Sequence, residues 1–198
     1  TLPPNTDENN YANIGNVSFG ARYNIYNKKM QISTQMLISS ASTAYDESTG
    51  LRAGFNTWTF EPMISFGKGL PFLYTYAYGA LGLRTNRFSH YFRAGGELGL
   101  GYYGFFFAVW TEWMESFDNG EYQVPINNLL TGLYRNDQEF LAYGVKIVAE
   151  VWKDHLGVTF SLGTAGQGNF VARSPSYNVS IYSKIRPKMQ EDATPADL

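Results

Sequence analysis

Alternation at every second residue is the feature of this chain that most limits its fold. Side chains on a β-strand point to opposite faces in turn, so apolar residues at i, i+2 and i+4 mark a strand with one apolar face. Residues 17–25 place Val17, Phe19, Ala21, Tyr23 and Ile25 on one face and Ser18, Gly20, Arg22 and Asn24 on the other. The pattern recurs at 30–39, 56–66, 72–83, 90–100, 105–116, 140–150, 156–163 and 177–185. Nine strands are predicted, most of them about 9–11 residues long, the length a tilted strand needs to cross a bilayer. Within 72–83, Tyr74, Tyr76, Tyr78 and Ala80 read as the apolar face, opposite Thr75, Ala77, Gly79 and Leu81. Pro62 cannot donate to a ladder, so irregular pairing is expected around it.

A soluble sandwich or a lipocalin-like barrel would also alternate. Composition favours a membrane barrel and leaves these as the alternative. The 198 residues include 15 Tyr, 14 Phe, 4 Trp and 20 Gly, yet only 16% are charged, which suits strands that are apolar on one face and polar on the other. No run of 18 apolar residues exists, so no transmembrane helix is expected. Trp58, Tyr74, Trp113, Tyr143 and Trp152 fall near strand ends, where amphipathic rings suit the headgroup zone. The net charge of -2 argues against a nucleic-acid binder. Absence of cysteine excludes disulfides and thiolate metal sites.

The connections alternate in length. Those at 27–29, 67–71, 101–104 and 152–155 are short, whereas 40–55, 117–138 and 164–176 are longer and only 84–88 is compact. Outer-membrane barrels have short periplasmic turns and longer extracellular loops, which places the short set in the periplasm. Residues 1–13 are then an extracellular loop-like segment, 14–186 carry the transmembrane strands, and 187–198 form a disordered periplasmic tail. The first strand would run downward from outside, and the count would be odd. Both features are unusual in bacterial barrels and both vanish if further strands complete a barrel of 10–12. The other reading is a complete barrel of eight or ten strands with one strand miscounted. The expected fold is therefore all-β, an antiparallel up-and-down transmembrane β-barrel with about nine strands in this chain.

The polar face carries the candidate site. Arg22, Glu61, Arg93, Glu97, Glu112, Lys146 and Glu150 all fall on it and are predicted to line the lumen. Arg93 and Glu97 share a face about 13 Å apart, too far to pair unless neighbouring strands bridge them. One reading is a polar pathway that orients a solute, and the other is a set of structural ion pairs. Catalysis is not expected. Ser89 and His90 are adjacent and so face opposite ways, and Glu97 lies opposite His90. No phosphate loop or metal-ligand spacing is present, so no cofactor or metal is expected.

Residues 13–23, Asn-Ile-Gly-Asn-Val-Ser-Phe-Gly-Ala-Arg-Tyr, resemble the G-x-G-D-x-x-x-G-x-K/R-Y strand of the outer-membrane barrel family associated with phenol and toluene degradation, which is akin to FadL-like transporters. Asn16 stands where that pattern has Asp. Leu83-Arg84-Thr85-Asn86, Gly95-Gly96-Glu97-Leu98-Gly99 and Phe107-Ala108-Val109-Trp110-Thr111-Glu112 are similar to its second half, so the likeness spans about residues 11–163. The resemblance implies uptake of small hydrophobic compounds and missing upstream strands. It assigns no binding residue. The expected function is an outer-membrane channel or transporter for small solutes, hydrophobic ones among them, with lipid and lipopolysaccharide as surroundings. The expected partner is further strands or another chain completing the barrel. The alternative is a non-conducting structural or assembly subunit, which a lumen packed shut by Met63, Phe106, Trp110 and Tyr182 would favour.

Overall fold

The computed structural model describes residues 14–42, 53–123, 135–152, 155–169, 171 and 174–183. Nine strands form a single antiparallel sheet in chain order: β1 (Ser18–Asn27), β2 (Gln31–Ser39), β3 (Thr59–Gly69), β4 (Leu73–Arg84), β5 (Tyr91–Tyr102), β6 (Phe105–Ser116), β7 (Glu139–Trp152), β8 (Leu156–Asn169) and β9 (Ser176–Ser183). Each strand pairs with its sequence neighbours, and no helix occurs among the described residues. The sheet is not closed. β1 and β9 are its two edges and make no contact with each other.

All nine predicted strands are present, with boundaries moved by a few residues. The largest shift is in β8. The stretch Thr164–Asn169 is expected to be loop but pairs with Glu139–Tyr143 of β7 across a register shift that passes over Gly166. The connection after β8 is therefore short. Pro62 behaves as its chemistry requires: it sits opposite Met36 of β2, while the β3–β4 ladder skips Glu61 and Pro62 between the Phe60–Leu83 and Met63–Ala80 pairs. The segments 1–13 and 187–198 lie outside the described residues.

The sheet curves, and side chains show which way. Neighbouring strands lie about 4.8 Å apart, so groups two or three strands away meet only on a concave face. Arg22 of β1 donates to the Tyr76 hydroxyl of β4 at 3.2 Å. Glu61 of β3 meets Arg93 of β5, and Lys146 of β7 meets Glu97 of β5. The concave face therefore carries the polar set. The convex face carries the apolar set, and little covers it. Phe60, Ile64, Phe66, Leu81, Leu98, Phe107, Val109, Ile147 and Phe160 are all exposed there. Among the described residues, the buried hydrophobic ones are only Ala80, Phe88, Tyr91, Ala108 and Met114. The sheet is thus inside out by the standards of a water-soluble core.

One strand faces the opposite way from the sequence expectation. Tyr74 and Tyr78 of β4 donate to Glu97 and Glu112, and Tyr76 meets Arg22, so all three are concave rather than on the apolar face. Leu81 and Leu83 are the exposed apolar residues of that strand. Tyr74 is consequently not part of an outer aromatic girdle, whereas Trp58, Trp113, Tyr143 and Trp152 are all exposed.

Candidate functional site: a charged ladder on the concave face

Three polar groupings follow one another across the concave wall. The first is Arg22, whose Nε donates to Gln35 Oε1 at 3.1 Å and whose Nη2 donates to Tyr76. The second centres on Glu61, which is 2% exposed and accepts from both the Tyr91 hydroxyl and Arg93. Arg93 also lies 3.8 Å from Glu112, and Glu112 accepts from Tyr78. The third is Glu97, which accepts from Lys146 and from the Tyr74 hydroxyl.

Every carboxylate in the second and third groupings therefore has a cationic partner and a phenol. This is how charges are tolerated where water is scarce, because a carboxylate stripped of hydration needs both a cation and hydrogen bonds. The geometry also explains why Arg93 and Glu97 do not pair with each other. They stand too far apart along β5, and each turns to a neighbouring strand instead.

Two of the phenols lie flat against glycine. A Cβ on Gly99 would sit 2.2 Å from the Tyr74 ring, and one on Gly82 would sit 2.1 Å from the Tyr91 ring. Any side chain there would lift the ring off the sheet and pull its hydroxyl from the carboxylate. Glycine on the concave face is thus what lets tyrosine reach along the wall.

The predicted lumen residues Arg22, Glu61, Arg93, Glu97, Glu112 and Lys146 are all on the concave face and joined as described. Glu150 lies further along β7 toward the short turns, where its N–H donates to the Gly104 carbonyl at 2.8 Å. Sequence reasoning missed Tyr74, Tyr78, Tyr91 and Arg84. One signal was available: Arg84 has the same parity as the β4 tyrosines, and a charge marks the polar face.

The end of the sheet that carries the longer connections is packed. Phe88 stacks on Tyr122 with centroids 4.0 Å apart and meets Phe55 edge-on at 6.0 Å. The Ser89 N–H donates to Asn136 Oδ1 at 2.8 Å, and its hydroxyl donates to Asp137 while accepting from the Gly120 N–H. Thr57 Oγ donates to backbone carbonyls of Trp58 and Thr85. Ser89 is 1% exposed, which suits a loop anchor rather than a nucleophile. His90 sits in the connection before β5, its Nδ1 accepting from the Arg84 N–H at 3.1 Å.

Arg84 stands between this loop cluster and the ladder. Its guanidinium lies 4.4 Å from the Tyr91 ring centroid and 4.9 Å from that of Phe55. Its Nε is buried without a hydrogen-bond partner. Comparison with protein-family models, curated proteins and solved structures gave no match to the chain.

Proposed function

We propose that this chain is part of the wall of an outer-membrane β-barrel that admits small solutes, hydrophobic ones among them. The observation that carries the reading is the convex face, apolar across successive strands and uncovered, opposite a concave face of paired charges. Soluble monomers rarely expose contiguous apolar patches beyond a few hundred Å². A bilayer satisfies such a face, and a curved antiparallel wall with every inner strand paired meets the requirement that backbone groups be bonded in lipid. The exposed Trp58, Trp113 and Tyr143 near the end with the longer connections, and Tyr102, Tyr103 and Trp152 near the short turns, fit two headgroup-level girdles. The short turns would face the periplasm.

The test is assembly followed by flux. Val109→Arg and Ile147→Arg put a cation on the convex face and should block membrane assembly, at a cost of about 2–4 kcal/mol each at mid-bilayer. Ala108→Ser on the concave face should be tolerated. Purified protein in lipid vesicles should pass a small uncharged sugar such as arabinose, read by vesicle swelling. Equal tolerance of the two classes would overturn the membrane reading. Normal assembly with no flux would leave a non-conducting structural subunit.

A further inference from the structure

Of the cations on the concave face, Arg93 and Lys146 are neutralised by carboxylates and Arg22 binds an amide and a phenol. Arg84 differs from Arg93 and Lys146 in having no carboxylate partner, and from Arg22 in lying against two aromatic rings. Among the described residues its guanidinium makes no ion pair. The acidic groups that face it are engaged elsewhere: Glu61 with Tyr91 and Arg93, and Asp137 with Ser89. Aromatic rings satisfy its charge only in part, and its N–H groups remain the way to satisfy the rest. Its Nε–H is buried without an acceptor, as is that of Arg93, but Arg93 has carboxylate partners, whereas for Arg84 a ligand carboxylate would have to supply one.

We propose that Arg84 is a docking point for the carboxylate of a small solute, the inference resting on the reading of the chain as a solute-admitting wall. The guanidinium fork matches a carboxylate in two parallel hydrogen bonds, which neither an uncharged amide nor an alcohol reproduces. Phe55 and Tyr91 lie against the guanidinium and supply an apolar flank for the solute body. Arg84 lies at the end of β4, beside the connections at 53–58 and 85–90, so a solute arriving from that end meets it before the neutralised ladder. Beyond it, Arg93 and Lys146 are already neutralised by carboxylates, which favours onward release.

The experiment uses benzoate and its uncharged near-isostere benzamide. Purified protein in detergent micelles should bind benzoate at least about tenfold more tightly than benzamide by calorimetric titration, the size expected of a charge-assisted fork. R84Q should abolish that preference, whereas R22Q should keep it. In the unmutated protein the ¹⁵N–¹H signal of Arg84 Nε should shift with benzoate and stay still with benzamide, a readout that holds even if R84Q fails to assemble. Equal binding of the two probes, a preference that survives R84Q, or an unmoved Arg84 signal would each overturn the proposal. Arabinose flux separates it from the function itself. Flux without a benzoate preference removes the Arg84 site and leaves the channel. A benzoate preference without flux leaves the site and removes the channel.

Discussion

Asn16 shows how a single side chain can replace a stretch of ladder. Its amide donates to the Ser40 carbonyl at 2.6 Å and to the Phe55 carbonyl at 2.7 Å, while its Oδ1 accepts from the Phe55 N–H at 2.7 Å. The amide thus ties the entry to β1 to the end of β2 and to the segment before β3. Three hydrogen bonds in this arrangement need a group that both donates and accepts, which explains why Asn stands where the resembled pattern has Asp. Asn16→Asp would set a carboxylate oxygen against two carbonyls. The expected cost is about 1–3 kcal/mol, with faster hydrogen exchange at the Phe55 amide and little change in the ladder from β5 to β8. Unchanged exchange at Phe55 would show that the tie carries no load. The charged residues of the site were readable because charge has only one tolerable face on such strands. The tyrosines were not, because a phenol is at home on either face and only its partner decides. Tyr74 and Tyr78 needed Glu97 and Glu112 from other strands, and no local pattern encodes that meeting.

Among the elements, the turns carry their own chemistry. Asn86 and Arg87 have φ of 54° and 61°, and the Phe88 N–H bonds back to the Thr85 carbonyl, so residues 85–88 form a turn with both central residues left-handed. Tyr103 and Gly104 repeat the arrangement between β5 and β6 at 46° and 80°. Such turns match the right-handed twist of paired strands and favour Asn followed by Gly. Gly104 obeys the preference and Arg87 does not, so Arg87 sits in a region that L-residues enter at a cost of about 1 kcal/mol. Arg87→Gly should therefore raise stability by about 0.5–1 kcal/mol, read as a higher unfolding midpoint, since the Arg87 carbonyl would still accept from Tyr122. A fall in stability would mean the Arg87 side chain contributes more than its backbone strain costs. The strands themselves were largely visible in the sequence, since period two survives wherever the two faces meet different surroundings. Residues 164–169 were lost because Thr, Ala, Gly, Gln and Asn give no contrast between faces, and a bulge at Gly166 shifts the parity. In β4 the pattern was clear but its sign was not, because the charge that sets it, Arg84, lies at the strand's last position.

At the scale of the whole molecule, direction decides how the wall can be completed. Strand direction reverses at every connection, so β1 and β9, an even number of steps apart, both run from the long-connection end toward the short turns. Joining them directly would make one parallel seam in an otherwise antiparallel sheet. A second copy of the wall in the same membrane orientation offers only the same two edges with the same direction, so it too meets β1 or β9 in parallel. An odd number of additional strands restores antiparallel pairing at both edges, which one strand or three would do in a barrel of ten or twelve. On the membrane reading proposed above, open edges would set two rows of unpaired N–H and C=O groups in lipid, at several kcal/mol per group. The expectation is tested with cysteine pairs in membranes. Ala21 and Met36 are register partners, so cysteines there should form a disulfide on mild oxidation. Cysteines at Ala21 and Val179, the midpoints of the two edges, should not, within one chain or between two. Efficient crosslinking of that second pair would mean that β1 closes on β9 and that the wall needs no further strand.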